Sequence, residues 1–184
     1  MRIIGGKFKG RKLRSVRGTC TRPTSDRTRE AIFNIIAFQV HDVRVLDLFA
    51  GTGALGIEAL SRGARSAVFI DISNASLSIL RKNLAGLALE CPTRVLRWDL
   101  ASNFNCLLSM PRAFDLVFMD PPYNKNMIGP ALDQLHSGQI MDSGARVIVE
   151  HSHQEHFEPD PLQFEIVDRR RYGKTLVSFL RYMV

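Results

Sequence analysis

Cysteine is scarce and scattered. Cys20, Cys91 and Cys106 are the only three in 184 residues, and no C-x-x-C spacing occurs, which indicates neither a zinc site nor a disulfide framework. Apolar runs are short as well. None is long enough to span a bilayer, and Arg2 is followed by only two apolar residues before Gly5 and Gly6, unlike a signal peptide. The expectation is a cytoplasmic protein with no membrane attachment. Internal repeats and low-complexity tracts are missing, and with 45% hydrophobic residues the chain holds one sizeable core without requiring a second full domain.

Acids are missing from the N-terminus. None precedes Asp26, whereas ten of the 25 basic residues fall within the first 29 positions, in a chain of net charge +7. Such clustering is the electrostatic footprint of a phosphate-backbone partner, although a charge run on its own is more often a solvated face. Arg2, Lys7, Lys9, Arg11, Lys12 and Arg14 alternate with apolar residues around Gly5, Gly6 and Gly10, which predicts a short β-hairpin or an extended basic arm. Arg22-Pro23-Thr24-Ser25-Asp26 reads as a turn into a helix whose stripe is Ala31, Ile32, Ile35, Ile36 and Val40. Arg22, Arg27 and Arg29 stand just ahead of that stripe, placed either to contact phosphate or to pair with Asp26 and Glu30.

From Val43 onward strand and helix patterns alternate, the signature of a doubly wound parallel sheet. Residues 43–49 read as a buried strand running into Gly51-Thr52-Gly53-Ala54-Leu55-Gly56, a G-x-G-x-x-G turn with a strand before it and a helix after it. Twenty residues after Gly51, a second apolar run ends in Asp71, the distance at which a carboxylate grips the hydroxyls of a ribose. A nicotinamide dinucleotide fits to this point. Asp47 separates the candidates, because a carboxylate inside an otherwise apolar strand needs a cation or N–H donors, and an anionic pyrophosphate is a poor companion for it. S-adenosylmethionine offers an ammonium group; the bland alternative is that Asp47 only binds amides of the glycine turn. Residues 93–99 read as a third strand ending in Asp99, an acceptor for an adenine amino group or a helix cap.

The fourth strand, residues 114–119, ends in Asp120-Pro121-Pro122-Tyr123. Two prolines cannot extend a central strand, so the chain turns out with Tyr123 at the rim. The Asp120 carboxylate and the Pro121 carbonyl can then accept both hydrogens of an exocyclic NH2 and localise its lone pair, while Tyr123 stacks on the ring. The bland reading is a stiff turn with Asp120 as a cap. Residues 54–61, 75–87, 104–110 and 128–136 read as helices and 146–150 as a fifth strand. Residues 163–167 and 176–180 are expected to close the sheet as an antiparallel hairpin turning at Tyr172-Gly173-Lys174. His151, His153 and His156 follow the fifth strand in what reads as a polar surface loop, with spacing unsuited to a metal.

The chain resembles the bacterial 16S rRNA guanine-N2 methyltransferase family that modifies guanine 966. The resemblance rests on Arg2-Ile3-Ile4-Gly5-Gly6, Gly10-Arg11-Lys12-Leu13, residues 22–30 beginning Arg22-Pro23-Thr24, Phe33-Asn34, residues 47–59 and Asp120-Pro121-Pro122-Tyr123. Ser25 and Tyr123 depart from it, where such proteins often carry threonine and phenylalanine. It implies a Rossmann-like class I fold, α/β, with a mostly parallel seven-stranded sheet, a C-terminal antiparallel hairpin and a basic N-terminal hairpin or arm. Residues 1–22 would be the arm and 23–184 the methyltransferase domain. Asp47, Phe49, Gly51, Gly53, Asp71, Ile72 and Asp99 would bind S-adenosylmethionine, and Asp120 to Tyr123 the target base. The N-terminal basic residues, with Arg22 and Arg27, would grip RNA. The expected partner is 16S ribosomal RNA in a partly assembled small subunit, met by a monomer. Three rivals stand beside this reading: a DNA or RNA adenine-N6 methyltransferase, a nicotinamide-dependent oxidoreductase and a non-catalytic RNA-binding assembly factor.

Overall fold

A computed structural model describes residues 1–16, 25–108, 110 and 114–184. Cys20, Arg22, Pro23 and Thr24, and with them the expected boundary after residue 22, lie outside the described residues. The chain runs α1 (Asp26–Ile35), β1 (Arg44–Leu48), α2 (Ala54–Ser61), β2 (Ser66–Asp71), α3 (Asn74–Ala85) and β3 (Thr93–Arg97). It continues through α4 (Asn105–Leu108), β4 (Phe114–Met119), α5 (Ile128–Ser137), β5 (Met141–Ser152), β6 (Phe164–Tyr172) and β7 (Thr175–Tyr182). The seven strands form one sheet in the order β3-β2-β1-β4-β5-β7-β6, parallel from β3 to β5, with β7 antiparallel to both neighbours. The expected α/β sheet with its closing hairpin is therefore present. No helix among the described residues is long and apolar enough to cross a membrane.

Alternation along the strands divides the core into two layers. Val45, Phe69, Leu116 and Phe118 face α1, α2, α3 and the N-terminal segment, whereas Leu46, Ile70, Val117 and Val149 face α4 and α5. Ser25 caps α1 by accepting from the Thr28 amide at 3.0 Å. The buried stripe of α1 differs from the expected one: Ile32, Phe33 and Ile36 are buried, whereas Ile35 is 41% exposed. Phe33 takes its place because it meets Phe118 of β4, with ring centroids 5.5 Å apart.

Arg29 resolves its two readings in favour of pairing. It is fully buried, with Asp26 at 3.0 Å and Glu58 at 3.6 Å. Glu58 also accepts the amides of Ile4 at 2.8 Å and Gly5 at 2.7 Å, and Nε of Arg62 at 2.8 Å. The N-terminal segment is thus docked. It closes through a single antiparallel bridge, Arg2 to Lys12, and buries Ile3, Phe8 and Leu13 in the core. Removing one partner from a buried charge cluster costs roughly 3–5 kcal/mol. Glu58→Gln is accordingly expected to lower the melting temperature by about 10 °C, measured by differential scanning calorimetry; an unchanged melt would mean that the cluster contributes nothing net.

Candidate active site

Helices that follow parallel strands run back antiparallel to them, so the carboxyl ends of β1 to β5 form one rim. The register fixes what meets there. Leu48 of β1 is opposite Ile70 of β2 on one side and Met119 of β4 on the other, so Asp71 and Asp120 emerge on either side of Phe49. Asp47 lies beneath, two residues back along the same strand. The structure brings these three carboxylates together around the glycine turn. Asp99 stands farther out, beyond the end of edge strand β3, and is exposed.

Phe49 adopts φ +59°, a left-handed conformation uncommon outside glycine, and turns the chain sharply out of β1. The glycines that follow have separate duties. A Cβ on Gly51 (φ +54°) would meet no atom within 4 Å, so this backbone faces open space above the turn. A Cβ on Gly53 (φ +86°) would lie 2.3 Å from Leu80, and one on Gly56 would lie 2.3 Å from Phe69 and 2.9 Å from the Asp47 carboxylate. Gly53 and Gly56 therefore serve packing, and Gly51 leaves room for a ligand. Gly51→Ala is expected to weaken cofactor binding while costing only about 1 kcal/mol of stability for the left-handed alanine. Gly53→Ala should cost several times more, because strain and overlap add. Melting curves with and without S-adenosylmethionine test the contrast, and equal losses would refute it.

Asp47 is 2% exposed and accepts the Gly56 amide at 2.9 Å. Burial dominates its ionisation and raises its pKa to about 7, against the lowering by the Gly56 bond and helped by the nearby charge of Asp71. Asp71 accepts Gly51 N at 2.8 Å and Ser73 N at 2.7 Å, which locks the glycine turn to the start of α3. Ile72, next along, is 55% exposed on the rim. The Asp99 carboxylate accepts the Ala101 amide at 3.0 Å and the Ser102 hydroxyl at 3.1 Å, the capping geometry. These groups fit S-adenosylmethionine: a buried carboxylate with no cation among its described partners, a second carboxylate beside a bare glycine, and an apolar side chain next to it.

Asp120 is half-buried, Pro121 buried, and Pro122 and Tyr123 exposed, so the turn leaves the sheet as the prolines require. Tyr123 donates its hydroxyl to Glu150 Oε1 at 3.2 Å and lies 3.2 Å from Thr175 Oγ1. Burial is the largest cause raising its pKa, followed by the Glu150 charge. Asn124, at φ +56°, gives its amide to Glu155 at 3.0 Å. Sequence reasoning passed over Glu150 and Glu155 as partners of this turn; Glu150 carried the same signal as Asp47, an acid at the carboxyl end of an apolar strand.

One expectation is corrected here. His151 does not lie in a surface loop. Pairing of β5 with β7 continues to Ser152, so His151 belongs to the strand, is 2% exposed and bonds Ser178 at 2.9 Å through Nε2. Burial lowers its pKa. His153 is half-buried beside the carbonyl of Lys174, and His156 is exposed.

The basic residues of the N-terminus sit elsewhere. Lys7 N bonds Ser61 O at the end of α2 and its ammonium meets Glu90 at 3.3 Å, while Arg11 reaches Gly86 O at the end of α3. Both helix ends lie at the amino edge of the sheet, opposite the rim. Among the described residues of this segment, the stretch from Arg14 to Val16 approaches the first turns of α3, across an open cleft of about 560 Å³ that contains none of the four carboxylates. Arg27 is exposed on α1, and Arg22 lies outside the described residues.

Comparison with known proteins adds an independent finding. A family described as Conserved hypothetical protein 95 matches residues 1–181. The Ribosomal RNA small subunit methyltransferase D of Escherichia coli is 39% identical over 150 residues, covering 82% of this chain and 74% of its own. The protein of the same name from Haemophilus influenzae is 35% identical over 153 residues, covering 82% and 78%. The solved structure of yhhF from Escherichia coli superposes with a TM-score of 0.86 at 32% identity, covering all of this chain (100%) and 98% of that one.

Proposed function

Because this chain belongs to the Conserved hypothetical protein 95 family, which includes bacterial small-subunit ribosomal RNA methyltransferases, we propose that it methylates N2 of a guanine in 16S rRNA, with guanine 966 as the target. Its coarser activity is S-adenosylmethionine-dependent methylation of ribosomal RNA. The reading places it in the cytoplasm, acting as a monomer on a partly assembled small subunit.

When bound, S-adenosylmethionine supplies a methyl group already activated by its sulfonium. What this chain contributes is alignment and hydrogen-bond acceptors. Asp47 offers its buried carboxylate to the ammonium group, Asp71 the ribose hydroxyls an acceptor, and Phe49 and Ile72 apolar surface. Asp99 can reach an adenine amino group only by sharing the carboxylate that caps its own turn. Asp120 and the Pro121 carbonyl accept the two N2 hydrogens of guanine, which localises the nitrogen lone pair toward the methyl carbon. Tyr123 holds the ring by stacking, oriented by Glu150 and Thr175. Once N2 carried the methyl group it would be strongly acidic, and Asp120 would be the carboxylate placed to take its proton. The basic N-terminal residues hold phosphates away from the target nucleotide.

The observation that carries this reading is the register between Leu48 and Met119, which delivers Asp120 beside the glycine turn rather than elsewhere on the sheet. The test is incubation with methyl-labelled S-adenosylmethionine and small-subunit particles lacking the modification, followed by mapping of the label. N2-methylguanosine at a single position is expected. Label on an adenine amino group would transfer the reading to N6 chemistry, and RNA binding without any label would leave an assembly factor.

A further inference from the structure

The four residues Arg169, Arg170, Arg171 and Lys174 crowd one end of the C-terminal hairpin, with no acid between 169 and 174. Topology determines which end. β5 runs parallel to β4, and Thr175 of antiparallel β7 pairs with Ser152 at the finish of β5, so the β6–β7 turn stands on the same rim as Asp120. Contact with the base-handling turn is direct. Thr175, whose cross-strand partner is Tyr172, lies 3.2 Å from the Tyr123 hydroxyl.

Not every cation of this cluster faces outward for a ligand. Arg169 bonds Ser178 at 3.3 Å and the Phe157 carbonyl at 3.2 Å and stacks over the Phe157 ring, which makes it a packing residue. Arg170, Arg171, Lys174 and, two residues after Tyr123, Lys125 are exposed. Arg171 is steadied by a 2.9 Å bond from Nε to Gly173 O, and Arg170 by Asp168 at 2.8 Å. Charge on an edge strand also blocks unwanted strand pairing. That purpose requires charge anywhere along β6, yet the other half of the strand reads Phe164-Glu165-Ile166-Val167, without a cation. Cations gathered only at the rim match a ligand that passes over the rim.

We propose that Arg170, Arg171 and Lys174 of the hairpin tip, with Lys125 of the turn after Tyr123, form a phosphate-docking surface that sets the RNA strand so that its target base reaches Tyr123. The inference rests on the RNA methyltransferase reading above. Lys7 and Arg11, at the opposite edge, grip RNA only beyond this point. The test is the double variant R171E/K174E, with R171A/K174A as the milder form, assayed with unmodified small-subunit particles. KM for the particle is expected to rise at least tenfold. The slope of log KM against log salt should fall by roughly 1.4–1.8, two phosphate contacts' worth. Affinity for S-adenosylmethionine and kcat at saturating particle should stay within about threefold, and R171K/K174R should restore most of the loss. An active wild type with unchanged KM and salt slope in both double variants overturns this inference alone. A wild type that transfers no methyl group to the particle overturns the functional reading, and this one with it.

Discussion

Asp120→Ala is expected to lose at least a thousandfold in kcat for methyl transfer while its affinity for S-adenosylmethionine stays within about threefold of wild type. The magnitude follows from what is removed. An arylamine lone pair is delocalised into its ring, and an acceptor that localises it and then takes the proton contributes a factor of roughly 100 to 10,000 as a general base, with electrostatic orientation in addition. Cofactor binding is spared because the carboxylate nearest the glycine turn from within β1 is Asp47, and the Gly51 amide is held by Asp71. Asp120→Asn retains an acceptor oxygen without the charge and should fall between the two. Single-turnover rates at saturating cofactor, beside calorimetric cofactor titration, check the separation; wild-type turnover by the alanine variant would remove Asp120 from the chemistry.

Asp47→Asn is expected to gain stability and lose cofactor. The Asp47 carboxyl has a pKa of 3.8 when unperturbed and about 7 in the folded chain. Between these values the unfolded chain has released the proton and the folded one still holds it, so stability declines as pH rises from about 4 to 7. The full penalty, of the order of 4 kcal/mol, is present above pH 7. Asparagine keeps an acceptor for Gly56 and never ionises. Allowing for its own buried amide hydrogens, the variant should be about 2 kcal/mol more stable at pH 8, or roughly 4–8 °C in melting temperature. For wild type, an ammonium ligand favours the ionised carboxylate, so cofactor affinity should rise up to tenfold per pH unit below pH 7 and level off above it. The variant should bind at least tenfold more weakly at pH 8 and lose that dependence. Melts and titrations across pH 5.5–8.5 decide the matter; a less stable asparagine variant at pH 8 would mean that the carboxylate is satisfied without a ligand.

The two predictions draw on signals of different depth. Asp47 and Asp120 stood out in the sequence as candidate site residues because each interrupts or ends an apolar run, where an unsatisfied carboxylate is costly. The glycine turn was legible from its context, although its glycines look alike in sequence. Only the positions where a Cβ would meet Leu80 or Phe69 separate Gly53 and Gly56 from Gly51. Arg29 illustrates the opposite case: beside Arg27 it looks like one more surface cation, and it is fully buried. Its burial depends on Glu58, twenty-nine residues away, which no local pattern announces. His151 was misplaced for a similar reason, since the length of β5 is set by its pairing with β7.

Local chemistry by itself determined the element order, the parallel sheet with its closing hairpin, the glycine turn and the proline-stiffened exit of Tyr123. Those follow from periodicity, backbone freedom and the missing proline N–H, which act over a few residues. Tertiary structure alone decided which cations face the rim. Basic residues near the N-terminus dominate the sequence, yet docking on the ends of α2 and α3 carries Lys7 and Arg11 to the far edge, while strand pairing brings Arg170, Arg171 and Lys174 to the rim that holds the Asp120 to Tyr123 turn. Charge is a property of residues, but the field a ligand meets depends on where the chain folds them.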